Sequence, residues 1–64
     1  MDTKAIELIE HVFLYKENRE PKVFESGTVL RVVMRIAEKY LVQDDSGFSF
    51  TLALNQENQI WKRF

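Results

Sequence analysis

The sequence has no cysteine, one proline, one histidine and two glycines among its 64 residues. The absence of cysteine excludes disulfide bonds and thiolate metal ligands, and small chains without disulfides are typical of a reducing compartment. Two separate glycines cannot build a glycine-rich phosphate loop. No apolar run approaches the roughly 20 residues of a membrane-spanning helix, and the chain has no signal-peptide pattern. We therefore expect a soluble, cytoplasmic protein with no membrane partner.

Groups that commonly carry catalysis or bind metals are also sparse. His11 is the single histidine, and a serine nucleophile needs a histidine and an acid that converge on it. The adjacent carboxylates Asp44 and Asp45 lie in a turn-forming segment, without the spaced acidic positions of a calcium loop. The sequence therefore predicts a protein that is not an enzyme and that uses no cofactor and no metal.

The charge is nearly balanced, with nine basic and ten acidic residues and a formal net charge of −1. This balance argues against a generally polybasic nucleic-acid binder, although it allows a local basic face. Hydrophobic residues make up 45% of the chain, which is enough to form a core. We therefore expect a folded chain rather than a globally disordered one. Length and composition together predict one domain over residues 1–64.

The clearest pattern is an alternation of apolar and other residues in two segments. In residues 28–36 the even positions from Leu30 onward are apolar, whereas Arg31 and Arg35 occupy odd positions. Residues 48–54 alternate in the same way. Because successive side chains of a strand point to opposite faces, each segment predicts a strand with one buried and one solvated face.

Two turn signals separate these segments from a shorter predicted strand over residues 39–43. Ala37 and Glu38 form a plausible tight connection before it. Asp44–Gly47 follows it, and this segment combines aspartate and serine side chains that bond nearby backbone with a glycine that accepts a positive φ. The three strands are therefore expected to form an antiparallel meander.

The N-terminal segment supports two interpretations. Read at a helical period, residues 3–17 place most of their apolar side chains on one broad face, which favours an amphipathic helix. Residues 11–15 are nevertheless rich in strand formers, and a three-stranded meander needs a further strand to complete its sheet. The sequence leaves open whether this segment is helix or strand.

The order of these elements resembles an SH3-like barrel. The matching elements are, in chain order, a first strand from residue 11, a polar loop over 16–26, the strand after Gly27, the two turns, a polar turn over 55–59 and a closing strand over 60–64. The segment Glu25–Val33 is similar to the one that follows the long loop in such domains. The resemblance covers residues 11–64 and implies an all-β fold, a small SH3-like five-stranded barrel. Residues 1–10 are expected either to extend its first strand or to form a helix against it. The alternative is an α+β fold, with an N-terminal helix packed on a curved antiparallel sheet.

The chain departs from the peptide-binding members of that fold. Their acidic loop with paired aromatics and their proline-and-tyrosine motif before the last strand are not evident here, so recognition of proline-rich peptides is not expected. Fold resemblance alone does not define a function.

The candidate binding face combines arginine with an aromatic residue. By alternation, Arg31 and Arg35 share a face of one strand, and Trp61 and Arg63 share a face of the last strand. Arginine pairs with phosphate, and tryptophan can stack on a base, so this face could bind nucleic acid. Aromatic residues and arginine are also enriched in protein interfaces. We expect a module that binds a protein partner, which includes self-association as a homodimer, with nucleic-acid binding as the alternative.

Overall fold

The structure is a computed structural model that describes residues 3–15 and 20–64. These residues form seven short strands and one turn of 3-10 helix. The elements are β1 (Ala5–Leu8), β2 (Val12–Leu14), β3 (Lys22–Phe24), β4 (Val29–Ile36), β5 (Lys39–Gln43), β6 (Ser49–Ala53), η1 (Leu54–Gln56) and β7 (Trp61–Arg63). The fold of the described part is therefore all-β, as the alternation predicts. Of the polar loop expected over 16–26, residues 16–19 lie outside the described residues.

Five of the strands form one antiparallel sheet in the order β6-β5-β4-β1-β7, and β2 pairs with β3 in a separate hairpin. The first strand of the sheet is Ala5–Leu8 rather than the segment from residue 11, which instead starts the hairpin. The alternative of a helix over residues 3–17 is wrong for the described part of that range. Backbone pairing of β1 with β4 on one side and with β7 on the other overrides the helical periodicity of the sequence.

The sheet is open, because within the described residues β6 and β7 are its two edges and no backbone ladder joins them. The predicted barrel is therefore not closed by main-chain hydrogen bonds. A side chain spans the gap instead: the indole Nε1 of Trp61 donates a 3.0 Å hydrogen bond to the carbonyl oxygen of Ala53. This bond brings the start of β7 to the end of β6, so the sheet curls around its apolar face.

The core lies on the inner face of this curled sheet, and the β2–β3 hairpin covers one side of it. Phe24 of the hairpin stacks on Phe50 with ring centroids 5.0 Å apart, and Tyr40 packs against Trp61 at 5.5 Å. The buried residues are Ile6, Leu8, Phe24, Leu30, Tyr40, Val42, Phe50, Leu52 and Trp61. In β6 the alternation predicts the two buried residues correctly.

A β-bulge interrupts the longest strand, β4. Val32 pairs with Val42, but the next pair along the ladder joins Met34 to Leu41, so Val33 is an extra residue. One extra residue reverses the faces of everything that follows, because side chains alternate with a period of two. The even positions are therefore inward only as far as Val32, whereas Met34 and Ile36 are 52% and 47% exposed.

Both predicted hairpin turns are confirmed. Ile36 pairs with Lys39 across a two-residue turn, and Gln43 pairs with Ser49 across the Asp44–Phe48 connection. The first turn places Ala37 at φ 51°, in the left-handed region that favours glycine. The predicted polar turn over residues 55–59 contains most of η1 and the turn that follows it.

We expect Trp61→Phe to destabilise the fold. The substitution removes the indole donor, leaves the Ala53 carbonyl without that partner and opens a cavity in the core. The expected loss in the free energy of unfolding is about 2–4 kcal/mol, measured by urea denaturation with circular dichroism. Phe64→Leu is the matched control, since Phe64 lies next to the same strand and is 76% exposed. A loss equal to that of the control would contradict the role given to the indole.

Ala37→Gly should stabilise the protein slightly. Glycine removes the free-energy cost of a positive φ, and this gain exceeds the free-energy cost of the extra backbone entropy that glycine loses on folding. The expected net increase in the free energy of unfolding is about 0.5 kcal/mol. Glu38→Gly in the same turn should have the opposite sign, because Glu38 is not among the residues with a positive φ. Thermal denaturation of both variants tests this, and equal shifts in one direction would disprove it.

Candidate functional site

The bulge at Val33 separates the two arginines of β4. Arg31 pairs with Gln43 and donates a hydrogen bond to its side chain, whereas Arg35 pairs with Tyr40. Residues directly opposite each other in an antiparallel ladder share a face. Since Tyr40 faces the core and Gln43 faces away from it, Arg31 and Arg35 lie on opposite faces of the sheet. The shared face predicted from simple alternation is wrong.

Trp61 and Arg63 do share a face of β7, as predicted, and both lie against Tyr40. Trp61 has no exposed surface, so its ring is part of the core and offers no plane on which a base could stack. Arg63 lies at the rim, with its guanidinium carbon 5.9 Å from the centre of the Tyr40 ring. The predicted combination of arginine and an accessible indole is therefore absent from this face.

The structure brings Arg35 and Arg63 together in a cleft of about 600 Å³ between the start of β1 and the second half of β4. We call it the basic cleft. Its lining residues are Thr3, Lys4, Val32, Val33, Met34, Arg35, Tyr40 and Arg63. Alternation alone does not place Lys4, Val33 or Met34 at this cleft. For the two β4 residues the local signal is the adjacent pair Val32-Val33, where two consecutive apolar residues break the alternation, as a bulge does. No local signal marks Lys4.

Arg63 is held in place on one wall of the basic cleft. Its Nε donates a 2.7 Å hydrogen bond to Oε2 of Glu57, which is also an ion pair. Its Nη1 donates to the Tyr40 hydroxyl at 3.2 Å and to the Thr3 hydroxyl. The hydrogen bond that Arg63 donates to the Glu57 carboxylate raises the pKa of the Arg63 guanidinium above its already high ordinary value. Arg63 is thus held in a fixed orientation, and the Glu57 carboxylate largely balances its positive charge.

Arg35 and Lys4 carry the charge that remains available. Arg35 donates through Nε to the carbonyl of Ala37 at 3.0 Å, which leaves its two terminal nitrogens for other acceptors. Neither Arg35 nor Lys4 belongs to an ion pair with another residue of the described ranges. Val33, which also lines the cleft, is 48% exposed. Met34 is 52% exposed, but it pairs with Leu41, so its side chain lies on the face of the strand opposite Arg35. The cleft therefore combines unneutralised positive charge with an accessible apolar surface.

The predicted turn at the other end of β5 is held by its own hydrogen bonds. Oδ1 of Asp44 accepts from the Ser46 amide at 2.9 Å, the Ser46 hydroxyl at 2.7 Å and the Phe48 amide at 2.9 Å. Lys22 of the β2–β3 hairpin forms an ion pair with Oδ2 of Asp44 at 3.2 Å and lies 4.9 Å from the centre of the Phe48 ring. Asp44 therefore fixes the turn and attaches the hairpin to it.

These contacts also define the ionisation of Asp44. The Ser46 hydroxyl bond is the largest influence, and with the other donors it lowers the pKa of Asp44 from 3.8 to about 2 against the opposing effect of desolvation. A carboxylate that stays ionised and is fully engaged in hydrogen bonds has a structural role.

His11 also has a local structural contact. Its Nδ1 accepts a 3.3 Å hydrogen bond from the amide of Ser26, which ties the start of β2 to the turn before β4. Among the residues that the structure describes, no three histidine, aspartate or glutamate side chains are grouped so as to hold a metal ion. The same residues include no helix with the length and apolar character that a membrane crossing requires.

Comparisons with protein-family models, with curated proteins and with solved structures give no match for this chain. The argument for a function therefore depends on the chemistry of the basic cleft.

We expect Asp44→Asn to lower stability near neutral pH and to have less effect in acid. The pKa of Asp44 is lower in the folded state than its ordinary value of 3.8. Its ionised form therefore stabilises the fold above about pH 4, and this contribution is lost as the pH falls from 3.8 towards 2. Urea denaturation at several pH values between 7 and 2 should show the two unfolding curves converging.

Asp45→Asn is the matched control for that experiment. Asp45 is an exposed carboxylate in the same turn. The Ser46 and Phe48 groups that donate hydrogen bonds to Asp44 do not donate to Asp45. A difference between wild type and Asp44→Asn that stays constant down to pH 2, or that Asp45→Asn reproduces, would contradict the assignment.

Proposed function

We propose that this chain is a small, non-enzymatic binding module that holds an acidic segment of a partner protein in the basic cleft. The observation that carries the proposal is that Arg35 and Lys4 line one cleft together with the half-exposed Val33, and that neither cation has an ion-pair partner among the described residues. An acidic side chain of the partner pairs with the cations, and a neighbouring apolar side chain packs on Val33.

The residue types in the cleft suit this task. A guanidinium group with two available terminal nitrogens can bind a carboxylate through two parallel hydrogen bonds. Arginine is also enriched in protein interfaces. Arg63 gives the cleft a rigid wall because Glu57, Tyr40 and Thr3 all hold its side chain.

We also propose that the domain is an SH3-like fold. Three observations support this assignment: the sheet order β6-β5-β4-β1-β7, the β2–β3 hairpin inserted between the first two strands of the sheet, and η1 immediately before the last strand. The binding proposal does not depend on this assignment, because such folds serve many functions.

Nucleic-acid binding is the competing function, and the structure weakens the constellation on which it depended. Trp61 is buried, and Arg31 points away from the basic cleft. A phosphate group could still enter between Arg35 and Lys4, so the two functions make different predictions about salt. Phosphate contacts weaken steeply as salt increases, whereas an apolar contact to Val33 does not.

The test is a selection from a displayed library of random peptides, followed by amide NMR titration with the enriched peptides. We expect acidic residues next to apolar ones, with shifts at Lys4, Val33, Met34 and Arg35. Arg35→Ala should weaken binding by about ten-fold or more, since a hydrogen bond between charged groups contributes about 1.5–3 kcal/mol.

Arg31→Ala is the matched control, because Arg31 is the same residue type on the same strand and lies on the opposite face. It should leave the affinity within about two-fold. Equal losses in the two variants, or peptide shifts that avoid the cleft, would disprove the proposal. Binding of a short single-stranded oligonucleotide with a steep salt dependence, without an enriched peptide, would assign the cleft to nucleic acid instead.

A further inference from the structure

The hydrogen-bonding pattern of β6 leaves part of its outer edge unpaired. The Asp44 amide donates to Phe48 and the Leu54 amide donates to Glu38, at the two ends of the β5–β6 ladder. Hydrogen-bonded pairs recur at every second position of an antiparallel ladder. Phe50 and Leu52 therefore bond to β5, whereas the main-chain groups of the odd-numbered residues of β6 point away from it.

Two of these outward residues have no main-chain partner. The carbonyl of Ala53 accepts the Trp61 indole, but no hydrogen bond within the described residues reaches the amide or carbonyl of Ser49 or Thr51. Thr51 is exposed and Ser49 is half-buried, while Phe50 and Leu52 anchor the strand in the core. The edge is therefore rigid, accessible and supplied with two donors and two acceptors.

This edge lacks the features that usually protect exposed strands from pairing. Natural edge strands commonly carry lysine or proline, or contain a bulge. The strand Ser49–Ala53 has no charged residue and no proline, and its register with β5 runs without a break. The bulge of this sheet lies in β4 instead.

We propose that a second copy of this chain adds to the sheet at this edge. The two β6 strands pair antiparallel around a twofold axis at Phe50, so that Ser49 of each copy lies opposite Thr51 of the other. In this register each copy donates through both free amides and accepts through both free carbonyls, and the bond between Trp61 and Ala53 remains intact. The contact uses the same patch on both copies, so it closes as a dimer.

A second copy is the expected partner because the edge of β6 is complementary to the same edge of another copy. Paired hydroxyl residues are compatible across antiparallel strands, and no like charges meet in this register. The net charge of −1 gives little repulsion between two copies. The proposal does not depend on the proposed function, because the basic cleft is formed by the residues just before β1 and by β4, β5 and β7 rather than by the edge of β6.

Sedimentation equilibrium and amide hydrogen exchange over a range of protein concentrations test the proposal. Exchange at Ser49 and Thr51 should slow as the concentration increases, while exchange at Phe50 and Leu52 should change little. Thr51→Pro removes an amide that has no partner in the single chain, and it should weaken the dimer by about ten-fold or more. Thr51→Val keeps the amide and should leave dimerisation nearly unchanged.

A charge-swap experiment tests the register without proline. The double substitution Ser49→Lys with Thr51→Lys puts lysines opposite each other, and Ser49→Glu with Thr51→Glu does the same with glutamates. Each variant should be a monomer alone, and an equal mixture should form a heterodimer. Circular dichroism of the separate variants establishes that they are folded.

Several results would overturn the proposal. These are a wild-type chain that stays monomeric at millimolar concentration, a dimer whose Ser49 and Thr51 amides exchange as in the monomer, and a mixture of the charged variants that does not associate. An edge occupied by an extended segment of another protein, with no dimer of this chain, would also reject the second copy as its occupant.

Discussion

The hydrogen bond from the buried indole of Trp61 to the carbonyl of Ala53 is the constraint on which the rest of the fold depends. A flat sheet of five short strands would leave one apolar face in water. The indole instead draws the two edge strands together at one point and fills the space between them. Its N–H is paired, so its burial leaves no unsatisfied donor. The β2–β3 hairpin then covers the remaining side through Phe24, and Lys22 attaches that hairpin to the turn after β5.

The two ends of the sheet differ in how their charges are used. Around Asp44, the carboxylate is paired within the fold with Ser46, Phe48 and Lys22, and the result is a turn held by its own hydrogen bonds. Around Arg35, the guanidinium bonds only to one main-chain carbonyl among the described residues, and Val33 in the same cleft remains accessible. Charges that are already paired stabilise a structure, whereas charges left without a counter-ion are available to a ligand. This contrast is the physical reason for placing the binding site at the second end.

Much of the fold can be predicted from the sequence, because alternation and turn chemistry are local signals. They identify the strands from β4 to β6, the Asp44–Gly47 turn and the closing strand. The N-terminal segment is ambiguous because its apolar residues satisfy two periods, and only pairing of β1 with strands far along the chain decides between them. The candidate site is predicted less well. Arg35 and Arg63 do meet, but Trp61 is buried, and one extra residue, marked in the sequence only by the Val32-Val33 pair, puts Arg31 and Arg35 on opposite faces.

That extra residue makes the basic cleft a property of strand register as much as of composition. Arg35 lies opposite Tyr40 because Val33 is left out of the ladder. A strand of the same sequence in which Val33 paired with Leu41 would place Arg35 opposite Lys39, on the surface where Arg31 lies. Deleting Val33 would instead give a regular ladder that keeps Arg35 opposite Tyr40. Substitutions at single positions change what the cleft prefers, whereas a shift of the bulge exchanges residues between two surfaces without any change in the buried residues before it.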